Sequence, residues 1–331
     1  MYPRVSGNGR AGSRPSGGPS ARGRAWLFVL LACGWLAGGC ATDPFATAGL
    51  PGTEAVELAE TPFFPQEDYQ CGPAALATLL VDAGVSVQPE ALVPRIWLPG
   101  RRGSLQAEML AASREYGRLP YVLPPAFPAL LAEVAAGRPV LVLQNLGIRL
   151  LPAWHYAVVV GYRPAAREIV LRSGTDERRV TDAGVFARTW KRGENWALVL
   201  LRPGEMPAQA DSRRYLAAAA AAESAGQLAL AAAAYRTAAE RWPDDPIAWL
   251  GRGNTAYAAG DAGRAEAMYR RSLELAPGSP AVLHNLAVTV AEAGRCAEAR
   301  ALLEAALPTL SGEDQAGAAL LRDALRDTAC R

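Results

Sequence analysis

Apolar and polar positions follow three different rhythms along the chain. From Ala25 to Gly39 the sequence AWLFVLLACGWLAGG is unbroken apolar, behind Arg4, Arg10, Arg14, Arg22 and Arg24 and no acid. That run is short of the roughly 20 residues a bilayer span needs. From Cys71 the rhythm is helical. Gly72-Pro73 opens a helix, because proline is tolerated in the first turn, where its missing N–H would have no partner anyway. Leu76, Leu79, Leu80 and Ala83 then repeat at helical spacing, and Gly84 ends the element. Ser104 to Gly117, with a serine cap and a glycine stop, and Phe127 to Gly137 read as two more helices that pack against the rest. Apolar, β-branched runs follow: Gly137–Asn145, Pro152–Tyr162, Glu168–Ser173 and Trp196–Leu201 read as strands of an antiparallel sheet.

Beyond Pro203-Gly204-Glu205-Met206-Pro207 the chain turns alanine-rich and helical, and a repeat becomes measurable. Gly226, Gly260 and Gly294 are spaced 34 apart, as are Ala231, Ala265 and Ala299. Tyr235, Tyr269 and Leu303 hold the large position, and Ala219, Gly253 and Ala287 the small one where paired helices touch. Pro243 and Pro277 end their units, with Ser311 in the third. This resembles the tetratricopeptide repeat, whose period is 34. It implies three copies, 213–246, 247–280 and 281–314, with a capping helix from Gln315 to Arg331. Such stacks bind a peptide or protein partner in a concave groove; the alternative is a scaffold packed on the preceding domain.

Length and composition narrow the chemistry. A chain of 331 residues holds about two domains. Lys+Arg less Asp+Glu is 34 − 32 = +2, so no large positive field recruits nucleic acid. Aromatic residues are too sparse for a stacking platform, and no glycine-rich loop ends in Lys-Ser or Lys-Thr. The five cysteines, Cys33, Cys40, Cys71, Cys296 and Cys330, form no CxxC pair, which excludes a zinc ribbon or a thioredoxin-like motif. No cofactor or metal is expected. Only His155 and His284 can supply an imidazole, and His284 lies in a repeat helix, where it reads as structural or surface.

Cys71 stands at a helix N-terminus, where the dipole and free N–H groups favour a thiolate, the attacking species of cysteine peptidases. A buried small hydrophobe is the alternative. His155 starts the strand Trp154-His155-Tyr156-Ala157-Val158-Val159-Val160 and is the histidine available to it. Trp154 and Tyr156 flank it; Trp154 reads as core or as the wall of a substrate cleft.

Gln66-x-x-x-Gln70-Cys71-Gly72-Pro73-Ala74-Ala75-Leu76 followed by WHYAVVVGY resembles the bacteriocin-processing, double-glycine peptidase family, a compact branch of the papain-like cysteine peptidases. The resemblance spans about Ala55 to Pro203 and is nearest to stand-alone lipoproteins with helical repeats. The separation 155 − 71 = 84 residues suits the compact branch. It implies an α+β papain-like domain, an N-terminal helix plus antiparallel sheet, followed by the all-α repeats. It makes Cys71 the nucleophile and His155 the general base. It makes Gln66, or else Gln70, the oxyanion-hole donor. The family's orienting aspartate falls where this chain reads Leu171-Arg172-Ser173-Gly174-Thr175-Asp176, leaving Ser173 or Asp176 as third member. Hydrolysis of peptide bonds is the implied activity; a non-catalytic peptide-binding module and an acyl-transferring variant are the alternatives.

The N-terminal pattern resembles a bacterial lipoprotein signal, with small residues before Cys40 and Cys33 as a weaker candidate. It implies a signal peptide over 1–40, lipidation of Cys40, a flexible tether over 41–54, a peptidase domain over 55–205 and a linker over 206–212. The protein would sit in the cell envelope, facing the periplasm and held by its lipid, with Ala41 after the cysteine directing it to the outer membrane. A plain cleaved signal or an uncleaved anchor is the alternative. The oxidising periplasm permits a disulfide between Cys296 and Cys330.

Overall fold

The computed structural model describes residues 44–48, 54–65, 71–101, 103–148, 150–306 and 323. Cys40, Gln66, Gln70, Cys330 and the expected capping segment, Asp323 apart, lie outside the described residues.

The first described element lies inside the expected tether. Helix α1 (Pro44–Ala48) sets Phe45 edge-on to Phe127 with ring centroids 5.4 Å apart, and 6.2 Å from Tyr162. Five residues are too few for a helical period to show in sequence, so this stretch reads as unstructured there.

After β1 (Val56–Glu57) come α2 (Cys71–Asp82), α3 (Pro89–Ile96), the two-stranded hairpin β2 (Trp97–Leu98) and β3 (Gly103–Ser104), and α4 (Gln106–Glu115). The main sheet then builds from β4 (Leu119–Val122), β5 (Val140–Asn145), β6 (Trp154–Arg163), β7 (Glu168–Ser173), β8 (Asp176–Asp182) and β9 (Ala197–Leu201), with α5 (Phe127–Ala135) and α6 (Ala183–Arg192) between strands. Every pairing is antiparallel, in the order β4-β9-β5-β6-β7-β8, and β1 adds to β6 where β5 has ended. Ser104 belongs to β3 rather than capping a helix; α4 starts at Gln106 with Leu105 in the cap position and no side-chain cap bond. The serine is committed to the hairpin pairing, where it faces Trp97.

Strand alternation sorts the core into two layers. Leu141, Leu143, Tyr156, Val158 and Val160 meet Leu76, Leu79, Leu80, Leu92 and Met109 on the helical side that carries Cys71. Val140, Val142, Ala157 and Val159 face the other way, against Leu130 and Leu131 of α5 and Phe186 and Trp190 of α6. That second layer continues into the C-terminal helices. Tyr215 and Leu216 of α7 (Ser212–Ser224), Tyr235 of α8 (Leu228–Arg241) and Ala248 of α9 (Pro246–Ala258) belong to the same apolar cluster. Tyr121 and Tyr215 stack at a tilt, 6.4 Å between centroids. The expected linker is pinned as well: the Ala208 N–H donates to Glu133 Oε1 at 2.6 Å, and Arg138 Nε donates to the other oxygen at 2.6 Å. Glu133 is 1 % exposed, a buried carboxylate kept satisfied by these two donors.

The helices α7/α8, α9/α10 (Ala262–Leu275) and α11 (Pro280–Glu292)/α12 (Cys296–Ala306) form three hairpins. Their turns hold Gly226, Gly260 and Gly294 at φ of +73°, +80° and +78°, the left-handed conformation that favours glycine, so the 34-residue glycine spacing has a backbone cause. Gly253 is small because a Cβ there would stand 2.3 Å from Cε1 of Tyr269. Cys296 is disulfide-bonded; its expected partner Cys330 lies outside the described residues. Among the described residues no helix is long and apolar enough to cross a membrane.

Candidate active site

Cys71 is the first residue of α2, and it is the free cysteine among the described residues. The helix is apolar on all sides and buried from Gly72 to Leu80, wedged between the sheet and α3 and α4. Its N-terminus meets β6 at Tyr156. A Cβ on Gly72 would stand 2.3 Å from Ser104 Oγ and 3.8 Å from the Tyr156 ring, so glycine permits this approach. The pairing of β6 with β7 begins only at Val158↔Arg172. The Tyr156 N–H is thereby left for the thiol.

Burial pushes the Cys71 thiol up; the N–H groups of Tyr156, then Gly72, then Cys71 itself oppose this only in part. The sequence reading, that a helix N-terminus favours a thiolate, is therefore outweighed by desolvation.

His155 lies one residue from this contact. Its Nε2 is 2.8 Å from Ser173 Oγ at the end of β7. Asp176 stands opposite Ser173 across a tight turn through Gly174, φ +63°, and its carboxylate is 3.7 Å from Arg179 Nη1. Of the two residues proposed to orient the imidazole, Ser173 makes the bond. Burial, and secondarily the charge of Arg179, holds His155 below its ordinary range. A serine hydroxyl offers no charge to offset an imidazolium, whereas a carboxylate would. Among the described residues the thiol and the imidazole make no hydrogen bond with each other; the thiol meets the backbone N–H of Tyr156, and the imidazole meets Ser173. Catalytic hydrogen bonds in ligand-free sites often tighten only when substrate is present.

Arg172, next to Ser173, escapes motif reading. Its buried guanidinium donates to the carbonyls of Ala59 (2.8 Å), Thr61 (3.0 and 3.2 Å) and Glu177 (2.6 Å). It ties the segment upstream of Cys71 to the strand end that orients His155. An arginine inside an apolar strand run is the available signal. Arg179 gives none, sitting in the charged segment Asp176–Asp182 that reads as loop.

The β5–β6 connection beside the site is exposed and apolar. Leu150 is 87 % exposed, Leu151 74 % and Trp154 56 %, which overturns the core reading of Trp154. Asn145 Oδ1 fixes this loop by accepting from the Gly147 and Ala153 N–H groups at 3.0 and 2.9 Å. Among the described residues no cluster of histidine, cysteine and acidic side chains could hold a metal ion.

In the repeats a pocket of about 360 Å³ is lined by Glu223, Asn254, Tyr257, Tyr269, His284 and Asn285. Asn254 Nδ2 donates to Glu223 at 2.8 Å, Asn285 Nδ2 donates to Asn254 at 2.9 Å, and His284 Nδ1 lies 3.0 Å from Asn285 Oδ1. His284 is thus a member of a polar chain linking the first helices of all three hairpins.

Residues 58–197 match the model of the Peptidase_C39 like family. Residues 216–280 and 256–324 match two models of the tetratricopeptide repeat. Similar solved structures include a protein of Bacillus anthracis described as a C39-like peptidase, at 18 % identity and a TM-score of 0.39. It covers 45 % of this chain and 98 % of its own. Another is the peptidase domain of Streptococcus ComA, a bifunctional ABC transporter involved in quorum sensing, at 16 % identity and a TM-score of 0.36. It covers 43 % of this chain and 99 % of its own. No curated protein gave a match. In architecture the chain is a C39-peptidase-like α+β domain followed by tetratricopeptide repeats.

Proposed function

We propose that the protein is a cysteine peptidase in which Cys71 attacks the carbonyl of a peptide bond and His155 serves as its base. The observation that carries this reading is the Ser173–His155 bond, at 2.8 Å, one residue from the Tyr156 N–H that faces the Cys71 thiol. His155 takes the thiol proton as sulfur attacks, then passes it to the leaving amine; water hydrolyses the acyl-enzyme. Because burial disfavours both charged forms, the ion pair forms on substrate binding rather than standing ready. Gln66 is the proposed oxyanion donor. The exposed leucines of the β5–β6 loop and Trp154 suit apolar side chains of the substrate beside the scissile bond.

A test is incubation with peptides containing a Gly-Gly step and apolar residues before it, with new termini read by mass spectrometry. Cleavage by the wild type and none by Cys71→Ser is expected; release of a transferred product rather than an acid would mark acyl transfer. The lack of a thiol–imidazole bond and the serine in place of a carboxylate favour a second reading, a peptide-binding module without turnover. Binding of such peptides by wild type and Cys71→Ser alike, with no cleavage by either, would establish it.

The repeats would engage a protein partner or the substrate through the polar groove around Asn254 and Asn285. The mature protein would be lipid-anchored at Cys40 in the cell envelope, facing the periplasm at the outer membrane. Mass spectrometry of its N-terminus is expected to show an acylated Cys40. A product starting at Ala41 or later without acyl mass would refute the anchor.

A further inference from the structure

On the side of α9 turned away from Asn254, a second pocket of about 200 Å³ opens between α8, α9 and α10. Arg252 and Asn254 are two residues apart, about 200° around the helix, so this pocket is separate from the polar groove. Arg236 of α8, Arg252 of α9 and Arg264 of α10 line it, with Ala232, Ala256 and Ala259 leaving the space between them. Three arginines of the repeats are matched to acids: Arg270 and Arg295 share Glu266 and Glu298, and Arg271 pairs with Glu274. The three pocket arginines make no such ion pair with a described carboxylate.

Asp261 also lines the pocket, and it caps α10 by accepting from the Arg264 N–H at 3.0 Å. Burial, then the charge of Arg264, then that of Arg236, weigh against the Arg252 cation, with Glu240 acting the other way. Arg252 is held in place by stacking 4.9 Å over the Trp249 ring, whose Nε1 donates to the Pro243 carbonyl at 2.7 Å. Three guanidinium groups and one carboxylate line the space, and Glu240 outside the lining also acts on Arg252, so the surroundings stay net positive.

We propose that this pocket binds a phosphoryl dianion. Guanidinium forks match its oxygens in pairs, and its negative charge suits the net positive surroundings. The phosphoryl group could come from a soluble phosphorylated molecule or from a phosphomonoester lipid headgroup, and the experiment separates these. Neither the site nor its test depends on the peptidase reading.

The full-length mature protein is titrated with inorganic phosphate and pyrophosphate at low ionic strength, by calorimetry and thermal melting, with acetate as the monoanion control. Saturable binding of phosphate is expected, with a rise in melting temperature that acetate does not give. Arg236→Ala/Arg264→Ala, which alters two exposed side chains, is expected to bind about tenfold more weakly or worse. Without phosphate it should melt at or above the wild-type temperature, because mutual repulsion is relieved. Flotation with phosphatidic acid vesicles, but not phosphatidylcholine vesicles, would assign the lipid source; phosphate binding without flotation would assign the soluble one. No saturable binding of either phosphate probe and no flotation, or an equal response from the double variant, would overturn the proposal.

Discussion

Replacing His155 by alanine is expected to lower peptide turnover by about 10²–10⁴, the usual contribution of a positioned acid–base group. Alkylation of Cys71 by iodoacetamide at neutral pH should slow with it. The argument rests on the thiol's environment. Burial holds the thiol above its ordinary pKa, so little thiolate exists near neutrality without a base to take the proton. The imidazole must be neutral to serve, and burial and Arg179 keep its pKa below the ordinary histidine value. The acidic limb of the rate–pH profile should therefore fall below about 6.5. Arg179→Gln removes a charge that opposes the imidazolium, so the limb should move up in pH. Ser173→Asp should move it further in the same direction, because a carboxylate favours the protonated ring. Equal alkylation and turnover with and without His155 would remove it from the chemistry. A limb that ignores both other substitutions would place Arg179 and Ser173 outside its electrostatic reach.

The ease of reading each part of the fold from sequence follows how each part is buried. β5, β6, β7 and β9 announce themselves because both faces of the central sheet are covered, so their runs are apolar almost throughout. β8, Asp-Glu-Arg-Arg-Val-Thr-Asp, is an exposed edge strand with no apolar alternation, and in sequence it passes for a loop. It nevertheless brings Arg179 into the electrostatics of the imidazole. α6 escapes the sequence reading although Phe186 and Trp190 are buried at helical spacing and Asp182 caps it, its Oδ1 accepting from the Val185 N–H. At the candidate site, motif spacing brings out Cys71 and His155. The choice between Ser173 and Asp176 needs the turn geometry, which places a serine against the ring and turns Asp176 toward Arg179. Whether the thiol is charged is not legible either. The helix N-terminus is visible in sequence, whereas the desolvation that outweighs it depends on neighbours distant along the chain.

Removal of residues 212–331 is expected to unfold or aggregate the peptidase-like domain rather than free it, because the first hairpin of the repeats is part of that domain's core. Tyr215 and Leu216 of α7 and Tyr235 of α8 lie in one cluster with Leu119, Tyr121, Val199 and Leu201 of the sheet. Tyr215 is fully buried, and its hydroxyl donates to the Glu205 carbonyl at 3.0 Å. Each such side chain contributes about 1.5–3 kcal/mol by burial, against a total stability of about 5–15 kcal/mol for a domain. Exposing this face should remove cooperative melting or lower the midpoint by at least about 10–20 °C. A truncation after Ala276 keeps α7 to α10 and the whole shared cluster. It removes α11 and the chain beyond it, whose apolar contacts form a separate cluster of Leu283, Leu286 and Leu303 with Ala265 and Tyr269 of α10. It should melt cooperatively and keep Cys71 open to small alkylating agents, while losing Asn285 and His284 from the polar groove. The pair of truncations therefore separates the structural share of the repeats from their binding share. If the shorter chain melted like the longer one, the common core would contribute no stability. If the longer chain also processed a natural substrate at the full rate, the groove would have no part in substrate recognition.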